Sequence, residues 1–165
     1  MAIYFSLEVD FGSNQTEAES ARQLIRDSSP LLVGARRVDL HRPDGAGPRV
    51  AAVPQGVGYG LPVELADRTE RLNLDIDELS AVGRSLYALL GKFTGYRIAA
   101  VGWERADTWF DLDELRSDYA DELAAGDLPG LVVSDDVYET LPGAKGFKTF
   151  EPGYQWIPYR GEKST

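Results

Sequence analysis

The apolar residues of this chain change period along its length, and this switching constrains the fold more than any other feature. Ile3, Phe5, Leu7 and Val9 recur at every second position, with Tyr4, Ser6 and Glu8 between them, the pattern of a strand with one buried face. After Gly12-Ser13-Asn14, Thr16 and Glu19 stand in the spacing of a capping box. Ala18, Ala21, Leu24 and Ile25 then repeat at helical spacing until Pro30 stops the helix. Apolar runs at 31–33 and 38–40, a Pro/Gly loop at 43–48 and a strand-like 49–53 predict a hairpin. Residues 54–62 read as an irregular connection, and Pro62 suits the first turn of a short helix from Val63 to Leu72.

The clearest helix runs from Asp75 to Leu90. Asp75 and Glu78 form its cap, Leu79, Val82, Leu86 and Leu90 form its apolar stripe, and Gly91 stands where a left-handed residue ends many helices. Tyr96 to Trp103 is an apolar run expected to be a largely buried strand. A second helix is predicted from Asp111 to about Ala125, with Leu112, Leu115, Tyr119 and Leu123 inward and Gly126 at its end. Leu131–Val133 is a short strand, Asp135 caps a helical turn, and 147–150 with 154–159 form a closing aromatic hairpin. The tail, 161–165, is polar and expected to be mobile.

This order predicts one α+β domain over residues 1–160, with about three helices packed on one face of a mixed, mostly antiparallel sheet. The helix–strand–helix–strand run from 75 to 133 could supply one parallel pair. The acidic starts Asp75-Ile76-Asp77-Glu78-Leu79 and Asp111-Leu112-Asp113-Glu114-Leu115 resemble each other, but acids belong at helix N-termini and two cases make no repeat.

Most chemistry fails on residue types. The chain has no Cys and a single His, His41, so thiolate zinc sites, cysteine nucleophiles and disulfides are excluded. No G-x-S-x-G elbow accompanies His41. Gly56-Val57-Gly58-Tyr59-Gly60 has Leu61 where a dinucleotide fingerprint needs glycine, and it reads as a tight loop. Asp111 and Asp113 have the spacing that opens an EF-hand loop, but the loop's glycine is missing. No metal or cofactor is expected. Glu8 and Asp10 interrupt the first apolar run, against a signal peptide, and cytoplasmic residence is the expectation. A net charge of −10 opposes binding to nucleic-acid phosphates or anionic membranes.

That charge is concentrated. Of 27 acidic residues, eleven lie between Asp107 and Glu139 beside one base, Arg116, leaving sixteen acids against sixteen bases elsewhere. A one-sign surface bordered by aromatic anchors suits a selective protein interface. The expected partner-binding residues are Asp107, Trp109, Phe110, Asp111, Asp113, Glu114, Asp118, Asp121, Glu122, Asp135, Asp136 and Tyr138. A solvated face that only keeps the domain in solution would have the same composition. The sequence favours a non-enzymatic protein of the immunity or inhibitor type, which occludes a basic partner such as a toxin domain. The alternatives are a carboxylate-based enzyme, with magnesium at Asp135 and Asp136, and an adaptor subunit using the aromatic C-terminal hairpin.

Overall fold

The computed structural model describes residues 3–43, 45–59, 71–104 and 109–162. Strand β1 (Ile3–Asp10) lies inside the main sheet. It pairs antiparallel with β6 (Ile98–Trp103) on one side, and on the other with β4 (Arg49–Ala52) and β5 (Gly58–Tyr59) in succession. Beyond β6 come β7 (Val132–Ser134), β9 (Tyr154–Trp156) and the edge strand β8 (Lys148–Glu151). A separate two-stranded hairpin joins β2 (Leu31–Val33) to β3 (Arg36–Val38). The α+β class expected from the element order holds.

Every described pairing is antiparallel, so the expected parallel pair does not form. The connection between β6 and β7 also departs from the expected single helix. An unbroken helix over 111–125 would be about 22 Å long, at 1.5 Å per residue, and could return the chain to the start of β6. Instead the segment breaks into α3 (Leu112–Ser117) and α4 (Ala120–Ala125), with Tyr119 turned out of helical geometry. Two local effects favour the break. The Ser117 hydroxyl donates back to the Asp113 carbonyl at 2.9 Å, which bends helices. In addition, Glu114, Asp118, Asp121 and Glu122 would stack like charges three and four residues apart.

The alternation along β6 divides the core into two layers. Ala99 and Val101 point to one face with Phe5, Leu7 and Val9; Ile98 and Ala100 point to the other. Helices α1 (Gln15–Asp27) and α2 (Ile76–Leu90) cover the first layer through Ala18, Ala21, Ile25, Val82, Leu86 and Leu90. The short helices α3, α4 and α5 (Asp135–Tyr138) cover the second through Leu115, Leu123 and Val137. The helices are thus shared between both faces, which is why β6 reads as a continuous apolar run.

The local signals divide between those that hold and those displaced. Asp75 caps α2 in a complete capping box, accepting the Glu78 N–H at 2.8 Å while the Asp75 N–H donates to Glu78 Oε2 at 3.0 Å. Asp111 caps α3, and Gly126 ends α4 in the left-handed region at φ 68°. A Cβ at Gly126 would lie 3.0 Å from the Lys145 carbonyl oxygen, so both the conformation and the space require glycine. By contrast α1 is capped by Asn14, not Thr16. Asn14 accepts the Glu17 N–H two residues earlier, and Glu19 instead pairs with Arg22 and Arg26. Gly91 stays right-handed at φ −59°, because Lys92 and Phe93 tighten the last turn with bonds to the Leu89 and Leu90 carbonyls.

The hairpin expected across the 43–48 loop survives only as a bridge between Leu40 and Pro54, because β4 pairs with β1. In the glycine-rich loop only Gly56 has the expected positive φ among the described glycines, and Gly58 belongs to β5. The helix expected at 63–72 lies outside the described residues except for Arg71 and Leu72, which belong to no regular element. Gly161 and Glu162 of the expected mobile tail are held, since the Glu162 N–H donates to Ser80 Oγ at 2.8 Å and the Tyr159 hydroxyl to Glu162. Among the described residues no helix is long and apolar enough to cross a membrane.

Candidate protein-binding surface

Helices α3, α4 and α5 form a thin layer, one face apolar and the other acidic. Leu115, Leu123, Leu128, Val137 and Leu141 pack inward against Ile98, Ala100, Leu131, Val133 and Ile157. The register that buries these side chains turns Asp111, Asp113, Glu114, Asp118, Asp121, Asp127, Asp135, Asp136 and Glu139 outward, all exposed, with Glu122 half-buried. Leu112, expected inside, is half-buried. Asp107 lies outside the described residues.

Arg116, the only base of the segment, is held within the layer. It donates to the Thr140 carbonyl at 3.2 Å, to Thr140 Oγ1 at 2.6 Å and to Asp113 at 3.2 Å. Asp127 meets Arg160 at 3.7 Å, an exposed pair of little energetic weight.

The expected aromatic anchors require correction. Trp109 and Phe110 are 8% and 4% exposed and belong to the apolar layer beneath the acidic helices, so neither presents a ring to a partner. Trp109 sits at φ 70°, a strained conformation for a bulky residue that packing of its ring can maintain. The Arg49 guanidinium lies 5.2 Å from the Phe110 ring centroid. Tyr138 remains half-buried beside Phe147, with centroids 5.2 Å apart. The C-terminal hairpin also spends its rings inside the domain: Phe150, Trp156 and Tyr159 all contact the Tyr87 ring.

One cleft adjoins the acidic layer, and no local sequence signal announced it. It encloses about 520 Å³ between the start of β6, the junction of β7 with α5, and the β8–β9 turn. Its walls include Tyr96, Arg97, Asp135, Asp136, Gly153 and Tyr154. The Tyr96 and Tyr154 rings stack at 4.0 Å with 15° between their planes. Burial, then the neighbouring Tyr154 and Glu151, pushes the Tyr96 phenol above its ordinary pKa. Burial likewise raises Tyr154, with the Glu17 and Asp135 charges adding to the shift. Both phenols are therefore neutral near pH 7.

Arg97 would make the cleft electrically mixed, but its guanidinium is engaged by the buried Asp10 carboxylate. Asp135 is oriented by the Gln155 amide at 3.2 Å. An exposed pair of carboxylates beside an aromatic wall can receive a guanidinium or ammonium group. Among the described residues no group of three or more His, Asp or Glu gathers as a metal site.

Comparison with family models, with curated proteins and with solved structures yields no match to this chain.

Proposed function

We propose that this protein is a binding protein of the immunity or inhibitor type, which occludes a basic partner such as a toxin domain with the acidic layer of α3–α5. One observation carries the proposal. The acidic residues of 111–139 reach solvent on one layer, and Arg116, the only base among them, is tied to Thr140 and Asp113. Charge of one sign, displayed on a layer whose other face is core, steers an oppositely charged surface into contact. Asp135 and Asp136 belong to both the acidic layer and the cleft, so a basic side chain of the partner inserts there, against Tyr154. This cleft takes the anchoring role that Trp109 and Phe110, being buried, cannot fill.

The test is affinity capture with the full chain at low and high salt, followed by mass spectrometry. The proposal expects a protein with a basic surface, retained at low salt and released as salt rises. Retention that ignores salt would contradict it. Adjacent carboxylates such as Asp135 and Asp136 would serve magnesium only with further oxygen ligands, so no specific observation favours the enzyme reading.

A further inference from the structure

Strand β8 ends the main sheet, and Lys148, Thr149 and Glu151 along it are all exposed. The backbone bonds of its neighbour show which groups of β8 face outward. At the two ends of β9, the Ile157 N–H and carbonyl bond to Leu131 and Gly130, and the Gly153 carbonyl accepts the Asp135 N–H, all towards β7. Backbone direction alternates along a strand, so Gln155 also faces β7, whereas Tyr154 and Trp156 face β8. Lys148 and Glu151, opposite those two, therefore bond inward. Thr149, opposite Gln155, turns its N–H and carbonyl away from the sheet. Open edge groups of this kind are a template for another strand.

The residues flanking Thr149 are self-complementary. The register shifts between Thr149 and Glu151, which makes Phe150 an extra residue, its ring held against Tyr87 and Trp156. In a regular strand Lys148 and Glu151 would lie on opposite faces. The bulge puts both on one face, that of Trp156 and Tyr154, which pack on the first core layer. Among the described residues neither Lys148 nor Glu151 has an ion-pair partner. A lysine and a bulge commonly guard an edge against pairing, but here the bulge also aligns a cation and an anion on either side of the open Thr149.

We propose that β8 pairs antiparallel with β8 of a second copy of this chain, about a twofold axis at Thr149. The two Thr149 residues then trade both backbone hydrogen bonds, and each Lys148 stands opposite the partner's Glu151. Such an axis is perpendicular to the sheet, so only residues on the same face can oppose each other. Lys148 and Glu151 meet that condition through the bulge alone. Cross-strand Thr–Thr and opposite-charge pairs both stabilise antiparallel ladders. The net charge of −10 on each copy opposes association, but at physiological ionic strength a Debye length of about 8 Å screens distant charges more than directly opposed pairs. The inference is independent of the partner proposed for α3–α5.

Sedimentation equilibrium of the full chain at physiological salt, from micromolar to millimolar concentration, gives the dimer dissociation constant. Hydrogen exchange at the Thr149 amide locates the contact. Expected is a reversible dimer in which that exchange slows as concentration rises. Thr149→Pro removes the outward N–H and should abolish the dimer, while the edge position tolerates proline. Lys148→Glu and Glu151→Lys change the net charge in opposite directions, yet each opposes like charges at both ends of the pairing. Each should therefore weaken the dimer by about tenfold or more. The double swap, Lys148→Glu with Glu151→Lys, restores opposite charges and should bring the constant back to within about threefold of the parent. Melting temperatures at dilute, monomeric concentration establish that each variant folds. A parent that stays monomeric, Thr149 exchange that ignores concentration, or a double swap as weak as the single changes would overturn the proposal.

Discussion

Arg97 grips Asp10 through Nε at 3.1 Å and through Nη2, joining the start of β6 to the end of β1 and neutralising the one base among the described residues of the tyrosine cleft's wall. The Asp10 side chain is 6% exposed, whereas that of Arg97 is 41% exposed. The pair therefore has a buried end that needs the charge and an open end that solvent screens. Asp10→Asn should cost about 1–3 kcal/mol, below the value for a fully buried pair because of that screening. It should also leave Arg97 as an uncompensated cation beside Asp135 and Asp136. Urea denaturation gives the first quantity and partner association rates the second. A variant as stable as the parent would show that the pair is incidental.

The Tyr87 hydroxyl donates to the Gly130 carbonyl at 2.6 Å and accepts the Val101 N–H at 3.2 Å, locking α2 to β6 and to the entry of β7. Tyr87→Phe keeps the ring contacts but removes the hydrogen bonds to the Gly130 carbonyl and from the Val101 N–H. A loss of about 1–3 kcal/mol is expected. Chemical denaturation checks it, and a loss below a few tenths would mean that the freed groups find other partners.

The Asp75 and Asp111 caps should each contribute about 1 kcal/mol, so either Asp→Ala change should lower the melting temperature measurably. Asp75 takes part in a reciprocal capping box, whereas Asp111 alone accepts from Asp113 and Glu114. Asp75→Ala is accordingly expected to be the more costly of the two. Equal melting curves for both variants and the parent would remove the capping account.

His41 predicts a pH dependence. Burial holds its pKa below the ordinary value. On acidification the unfolded chain takes up a proton near pH 6.5, roughly, while the folded chain still resists it. Stability is therefore complete above that pH and falls as pH drops towards the folded pKa. Because His41 is the only histidine, His41→Gln should flatten the stability profile between neutrality and the region where carboxylates titrate. Identical slopes in parent and variant would refute this.

How much of this was legible in the sequence depended on how local each signal was. Asp75, Asp111, Pro30 and Gly126 act through their own turns, and the structure uses them as their spacing predicts. The strand period of Ile3 to Val9 and the near-complete burial of β6 are likewise local patterns. Strand direction was not legible, because it is set by long-range pairing, and the break at Tyr119 interrupts an apolar stripe that gives no sign of it.

Nor could spacing show which aromatics are covered. Trp109 and Phe110 border an acidic run whether they point in or out, and only the layer of Leu115, Leu123 and Val137 above Ile98 decides it. The tyrosine cleft was out of reach for the same reason. Tyr96 and Tyr154 are brought together by the order of β6, β7 and β9, not by anything near either residue.

The most direct measurement compares the parent with the triple variant Asp118→Asn, Asp121→Asn, Glu122→Gln, in capture and then in stopped-flow association across a salt series. None of the three substituted side chains is buried, so the fold should be kept, as an unchanged melting temperature would confirm. If α3–α5 form the interface, the basic partner captured by the parent should associate about tenfold or more slowly with the variant, and the salt dependence should largely vanish. A partner that binds both proteins at the same rate at every salt concentration would show that the acidic layer serves solvation alone.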